Sequence, residues 1–217
     1  MASPIILLTG FEPFGGESSN PSWEVASRFA EAKAGGADVR IVRLPVNCKR
    51  AASEIKAALT RVKPAAVIGL GQAGGRTALS IEKVAINLAD ERADRETGER
   101  AEGRAIVRGG PDAYFARLPI ASIIDAITQR GIPAAMSLSA GAYVCNTVMY
   151  MTLHQVRRRP DVLAGFIHLP FDAAQATGHP SHPSMSLELM TAGVETALAE
   201  VAKRLKRPKK TSLSVQF

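Results

Sequence analysis

One thiol, one imidazole and one carboxylate stand where they could act together. Cys145 follows a run of small residues, Ser139, Ala140, Gly141 and Ala142, and opens a segment with apolar residues at Val144, Val148, Met151 and Leu153. That spacing is close to helical. A thiol in the first turn of a helix lies beside the positive end of the macrodipole and near unpaired N–H groups. Such surroundings are expected to lower its pKa from about 8.5 and favour the nucleophilic thiolate. The alternative is a small buried hydrophobe, the commoner role of a lone cysteine, and from this stretch alone the two readings balance.

His168 closes an apolar run at 163–169, where a strand gives way to Pro170. A histidine there is more often a satisfied structural residue, but beside a thiol it becomes a proton partner. An imidazole used in that way needs a third group to hold its orientation. Glu82 is the best candidate, because it interrupts the otherwise apolar extended run 79–87. A buried acid is costly unless paired. The alternative for Glu82 is the outward face of an edge strand.

The rest of the chain must bring these groups together. Residues 4–9 form a near-continuous apolar run, as expected of a strand buried on both faces. Asn20 and Pro21 supply a helix cap and first turn, and Gly35-Gly36 is the expected end of that helix. Residues 39–44 read as a second strand, 51–62 as an amphipathic helix stopped by Pro64, and 65–70 as a third strand. The order βαβαβ points to a doubly wound α/β protein with a mostly parallel twisted sheet. Further helices are expected before Gly131 and from Leu187 to Val201, with strands at 134–138 and 163–169. In open sheets of this type ligands bind outside the carboxyl ends of parallel strands. Phe11, Phe14, Gln72, Tyr143, Cys145 and His168 all fall at such ends and are expected to converge on one edge.

Bulk properties bound the alternatives. The 217 residues suit a single domain, expected over 1–205, with a basic tail at 206–217 that is expected to be poorly ordered. Hydrophobic residues make up 46% and aromatics only 5%, the palette of an aliphatic α/β core. No apolar run is long enough for a membrane span, and the N-terminus lacks the pattern of a signal peptide. Two cysteines in different elements fit a reduced, cytoplasmic protein without a disulfide framework. The net charge of +7 owes much to Lys203, Arg204, Lys206, Arg207, Lys209 and Lys210. Such a run could contact nucleic acid, but a solvated helix end is the commoner case.

Two other motifs weigh less. Gly69, Gly71 and Gly74 match G-x-G-x-x-G after a strand, but the stretch from Leu79 to Asn87 beyond them has an extended pattern instead of the helix a dinucleotide site requires. His179 and His182 in a Pro-rich loop lack the neighbouring acids or cysteines of a metal site. No metal or cofactor is therefore expected. A glutamine amidotransferase, another thiol acyl-transfer enzyme, would place glycines around its cysteine that Val144 and Asn146 do not supply.

Taken together, GFEPFGG at 10–16, GQAGGRT at 71–77, LSIEKVAIN at 79–87, SAGAYVCN at 139–146 and GFIHLPF at 165–171 resemble the pyroglutamyl peptidase I family. The similarity runs in order from Ile5 to the last helix. It implies a cytoplasmic cysteine peptidase with a single three-layer α/β/α domain, a homotetramer or homodimer, that removes N-terminal pyroglutamate from peptides. It further implies Cys145 as nucleophile, His168 as general base and then acid, and Glu82 as the group orienting His168. Phe11 and Phe14 correspond to aromatics lining the lactam-ring pocket, Gln72 to a polar contact to the lactam amide, and Arg92 to a residue near the oxyanion. Leu138 and Tyr143 depart from the residues frequent in the family, Asn and Phe, and 93–104 is more charged than usual. Those differences bear on fine specificity and subunit contacts. No cofactor, metal or membrane is implied, and peptides, not nucleic acid, are the expected partners.

Overall fold

The computed structural model describes residues 3–90 and 103–206. Strand β1 is Ile5–Phe11, β2 is Lys33–Ala34, β3 is Ala37–Leu44, β4 is Ala66–Gln72, β5 is Leu79–Glu82, β6 is Val84–Ile86, β7 is Ala113–Phe115, β8 is Ala134–Ser137 and β9 is Leu163–Leu169. A seven-stranded sheet runs in the order β2-β3-β1-β4-β9-β5-β8, and a two-stranded sheet, β6-β7, flanks it. Strands β1, β3, β4 and β9 run parallel, with β1 between β3 and β4 and β9 beyond β4. β5 (Leu79–Glu82) runs antiparallel to β9 and parallel to the edge strand β8 (Ala134–Ser137).

Helices α1 (Pro21–Ser27), α3 (Ile120–Thr128) and α6 (Leu187–Lys206) form one outer layer. Helices α2 (Cys48–Val62) and α4 (Val144–Gln155) pack together on the other face. This three-layer α/β/α arrangement is the expected fold class. Leu7, Leu8, Val67, Ile68, Ala164 and Ile167 on the central strands are almost wholly buried, which is why those strands read as continuous apolar runs instead of alternating ones. α4 is covered nearly all round, with Met149 and Tyr150 buried to 1% and 0% exposure.

The structure departs from the sequence expectations in several places. α1 ends at Ser27, not at the glycine pair. The chain then turns through Glu31, at φ 58°, into β2 (Lys33–Ala34), which pairs antiparallel with β3. Gly35 and Gly36, both at positive φ, make the two-residue hairpin turn between those strands. Glycine is favoured there because L side chains avoid that region. The extended run 79–87 is not one strand: it breaks at Lys83 into β5 and β6 (Val84–Ile86), and β6 pairs with β7 (Ala113–Phe115). α5 (Ala173–Ala176), closed by a capping box at Asp172, has no counterpart in the sequence reading. α6 reaches Lys206, so the basic run begins on its last turn, while the tail from 207 lies outside the described residues.

Candidate active site

β1 is the point where the chain reverses direction across the sheet: α1 leads to β3 on one side, and α2 leads on to β4 on the other. Crevices open at the carboxyl ends of strands at such a point. The end of β1 is held by the start of α1. Asn20 caps the helix by accepting from the Ser22 N–H at 3.0 Å, and the Ser22 hydroxyl accepts from the Phe11 N–H at 3.0 Å. A Cβ on Gly10 would stand 2.4 Å from the Ser22 carbonyl oxygen, so this close approach requires glycine. Phe11, Phe14, Asn20, Val46, Gln72, Tyr143, Val144 and Cys145 line one narrow cleft. The sequence reading did not assign Asn20, Val46 or Val144 to the cleft: Asn20 reads as a helix cap, Val144 as part of an apolar helical pattern, and Val46 lies in a loop.

Cys145 is the second residue of α4. Gly141, at φ 75°, turns the chain into this helix. Asn146, fully buried, fastens the first turn: its amide donates to the carbonyls of Ile86 and Leu88 at 2.9 and 2.8 Å, and its oxygen accepts from the Ile86 N–H at 2.9 Å. Tyr143 at the helix cap makes no side-chain capping bond. The first-turn amides therefore receive nothing from that side chain.

The thiol meets the sheet over Gly71. A Cβ built there would lie 2.8 Å from Cys145 Sγ and 2.8 Å from the Phe166 ring. Gly71 pairs in register with His168 on β9. Residues paired across a ladder share a face, so thiol and imidazole occupy the same side of the sheet on neighbouring strands. Gly69 likewise makes room for Phe166, whose Cδ2 would be 2.4 Å from an added Cβ. In the G-x-G-x-x-G spacing, Gly69 and Gly71 thus make room for the Phe166 ring and a sulfur, and Gly74 for the Phe171 ring.

Glu82 and His168 meet diagonally. Glu82 is in register with Phe166 and Ser80 with His168. The side chain of Glu82 crosses two residues along β9 to reach the imidazole, a distance long side chains span. His168 Nδ1 donates to Glu82 Oε1 at 2.7 Å. A carboxylate only accepts, so Nδ1 carries the proton and Nε2 is left with its lone pair. Glu82 is wholly buried between β9 and β8, so the edge-strand alternative does not hold. Arg76 Nη1 sits 3.1 Å from the same oxygen, and Arg76 Nη2 donates to the Ser139 carbonyl at 3.4 Å. The sequence reading missed Arg76. The cost of burying Glu82 was visible, but the charge that offsets it lies in a loop.

Electrostatics overturn one expectation. Burial first, then the Glu82 carboxylate and Cys48, push the Cys145 thiol up from its ordinary 9.0 to about 12, against a smaller downward pull from its own backbone N–H and Arg76. The start of α4 does not offset these effects, so the free protein holds a thiol, not a preformed thiolate. Burial also lowers the His168 pKa from 6.5, opposed by its hydrogen bond to Glu82 and the charge of that carboxylate, with Arg76 adding to the lowering. The resting pair is therefore a neutral thiol and a neutral imidazole at pH 7.

Arg92 lies outside the described residues. His179 and His182 form no metal cluster among the described residues. Instead, His179 Nε2 bonds Glu17 Oε1 at 2.9 Å and its ring stacks on Phe171. Among the described residues no helix is long and apolar enough to cross a membrane.

Comparison with known proteins gives the chain a family. The sequence pattern of the family described as Pyroglutamyl peptidase matches residues 5–204. The pyrrolidone-carboxylate peptidase of Klebsiella pneumoniae (strain 342) is 45% identical over 194 residues, covering 89% of this chain and 91% of that protein. That of Escherichia fergusonii is 42% identical over 193 residues, covering 89% and 90%. The crystal structure of pyroglutamyl peptidase I from Bacillus amyloliquefaciens superposes with a TM-score of 0.88 at 38% identity, covering 93% of this chain and 96% of that one. Pyrrolidone carboxyl peptidase from Thermococcus litoralis gives 0.88 at 38% identity, covering 93% and 94%. An α/β/α sheet with a thiol, an imidazole and a buried carboxylate on one face, in a chain this similar to those enzymes, belongs to the pyroglutamyl peptidase family of peptide hydrolases.

Proposed function

We propose that this protein removes an N-terminal pyroglutamyl residue from peptides through a Cys145–His168–Glu82 triad and a thioester intermediate. The observation that carries the reading is the buried Glu82–His168 bond, which leaves Nε2 of the imidazole as a base on the face of the sheet where Cys145 Sγ lies. As the pyroglutamyl carbonyl enters the cleft, Sγ attacks its carbon and the thiol proton passes to His168 Nε2. The imidazolium so formed is stabilised by Glu82. The developing oxyanion faces N–H groups at the start of α4, and Arg92 is proposed beside them by family correspondence.

Collapse of the tetrahedral intermediate breaks the C–N bond, and His168 returns the proton to the departing amine. A thioester to Cys145 remains. Water, deprotonated by His168, then attacks the thioester, and free pyroglutamate leaves as the thiol is restored. Phe11 and Phe14 supply apolar walls for a compact uncharged ring, and Gln72 a hydrogen bond to its amide. No step needs a metal or cofactor.

The test is hydrolysis of pyroglutamyl, prolyl and glutaminyl arylamides, each with and without iodoacetamide. Cleavage confined to the pyroglutamyl substrate and lost on alkylation is expected. Unaffected turnover after complete alkylation of Cys145 would remove the thiol from the mechanism.

The cytoplasm is the proposed location and a homodimer or homotetramer the proposed assembly. Support for self-association comes from the edge strand β8 and the residue after it, where Met136 and Leu138 are 54% and 68% exposed, and from Phe115 on β7 at 66%. An exposed apolar edge favours covering by another chain. Sedimentation equilibrium with a Met136→Lys control reads this directly, and a monomer at all concentrations excludes it.

A further inference from the structure

Gln72 lines the cleft, and a primary amide can offer either an acceptor or two donors. Its neighbour settles the choice. Gln175, the third residue of α5 and 4% exposed, is held at both ends of its own amide. Its Oε1 accepts from the Asp172 N–H at 3.3 Å as half of the capping box. Its Nε2 donates to the Ser19 carbonyl at 3.4 Å. Neither bond survives a flip, because a backbone N–H cannot accept and a carbonyl cannot donate. Nε2 also faces Gln72 at 3.1 Å, so the Gln72 atom opposite it must be Oε1.

We infer that Gln175 is a positioning residue that fixes the Gln72 amide with its oxygen turned away from substrate and its N–H donors left for the ring carbonyl of an N-terminal 5-oxoproline. This rests on the pyroglutamyl reading above and adds how the cleft recognises the ring. A donor at that position matches the lactam oxygen. It meets nothing on a prolyl ring, whose secondary ammonium is itself a donor. Selectivity then comes from leaving a donor that the bound ring covers unpaired when the wrong ring enters. The selecting contact is set by a backbone N–H at Asp172 and a carbonyl at Ser19, on two different loops.

The experiment compares Gln175→Glu and Gln175→Met with the wild type on pyroglutamyl and prolyl arylamides, together with inhibition by 2-pyrrolidinone. Glutamate at 175 accepts from Asp172 but cannot donate to Gln72, so the Gln72 amide flips and presents its oxygen to the cleft. KM for the pyroglutamyl substrate and Ki for 2-pyrrolidinone should rise about tenfold or more while kcat changes little. The preference for pyroglutamyl over prolyl should shrink by the same factor. Gln175→Met frees Gln72 without adding a charge and should raise KM less.

In the wild type, the Gln72 side-chain NH2 resonances should shift on addition of 2-pyrrolidinone, a measurement that does not depend on either variant folding. KM and Ki within twofold of wild type in both folded variants, an equal loss on both substrates, or unmoved Gln72 resonances each overturn the inference while leaving the peptidase reading intact. A wild type that cleaves no pyroglutamyl arylamide overturns that reading, and this inference with it.

Discussion

Glu82 Oε1 lies between two cationic or protonated partners, 2.7 Å from His168 Nδ1 and 3.1 Å from Arg76 Nη1, with no exposure to solvent. One oxygen thus fixes the tautomer of the imidazole and is itself held by a guanidinium from the loop after β4. The other oxygen, Oε2, is buried without a hydrogen-bond partner among the described residues. Losing either partner therefore strips a carboxylate that solvent does not reach.

Glu82→Gln keeps the shape of the side chain and removes its charge. Turnover of a pyroglutamyl arylamide should fall by about 10²–10⁴, since an amide neither enforces the Nδ1–H tautomer nor stabilises an imidazolium. Cys145 should remain open to alkylation by iodoacetamide. Steady-state rates beside mass-spectrometric alkylation check both, and undiminished turnover would take Glu82 out of the reaction.

Arg76→Met removes the cation and keeps most of the apolar stem. Breaking a buried ion pair by deleting one partner costs about 3–5 kcal/mol. The Arg76 side chain is 30% exposed, so solvent screening reduces this to about 1–3 kcal/mol. Urea denaturation reads the loss, and kcat should fall with it. Arg76→Lys should recover only part of each, because one ammonium cannot reach both Glu82 and the Ser139 carbonyl in the way the forked guanidinium does.

Cys145→Ala should abolish turnover, and Cys48→Ala should not. Both cysteines are buried and neither forms a disulfide among the described residues, and Cys48 begins α2 instead of facing the cleft. A loss of about 10³-fold or more is expected for the first. A dead Cys48 variant with a live Cys145 variant would reverse the assignment.

Acidity sets a window of stability. The folded pKa of His168 is lowered, so its contribution is full above 6.5, the ordinary value, and is lost as pH falls below it, where only the unfolded chain readily takes the proton. The folded pKa of Cys145 is raised, so its contribution is full below 9.0 and is lost as pH rises from there towards 12. Urea midpoints should accordingly be highest between about pH 6.5 and 9. The alkylation rate of Cys145 should climb steeply above pH 9, with no plateau reached near pH 6. A plateau at acid pH would show a preformed thiolate–imidazolium pair.

Glycines 69 and 71 separate packing from chemistry. Gly69→Ala presses first on Phe166 and should cost about 1–3 kcal/mol of stability. Gly71→Ala presses on both Phe166 and the Cys145 sulfur. It should lower kcat beyond what its effect on stability explains. Equal kinetic effects from the two variants would show that the sulfur tolerates displacement.

Much of this protein was written in short-range pattern. Apolar runs marked β1, β4 and β9 because strands buried on both faces have no polar side. Asn20-Pro21 marked the start of α1, and the small residues before Cys145 marked a turn into a helix. Glu82 stood out because a carboxylate in an apolar run needs a partner somewhere. What only the tertiary structure decided is which groups meet. His168 and Glu82 are 86 residues apart, and Gln175 and Gln72 are 103. Those distances close only because β4 and β5 flank β9 in one particular register, and no local periodicity encodes strand order or register. The protonation of Cys145 belongs with them: helix position is legible along the chain, whereas desolvation depends on everything packed above the sulfur.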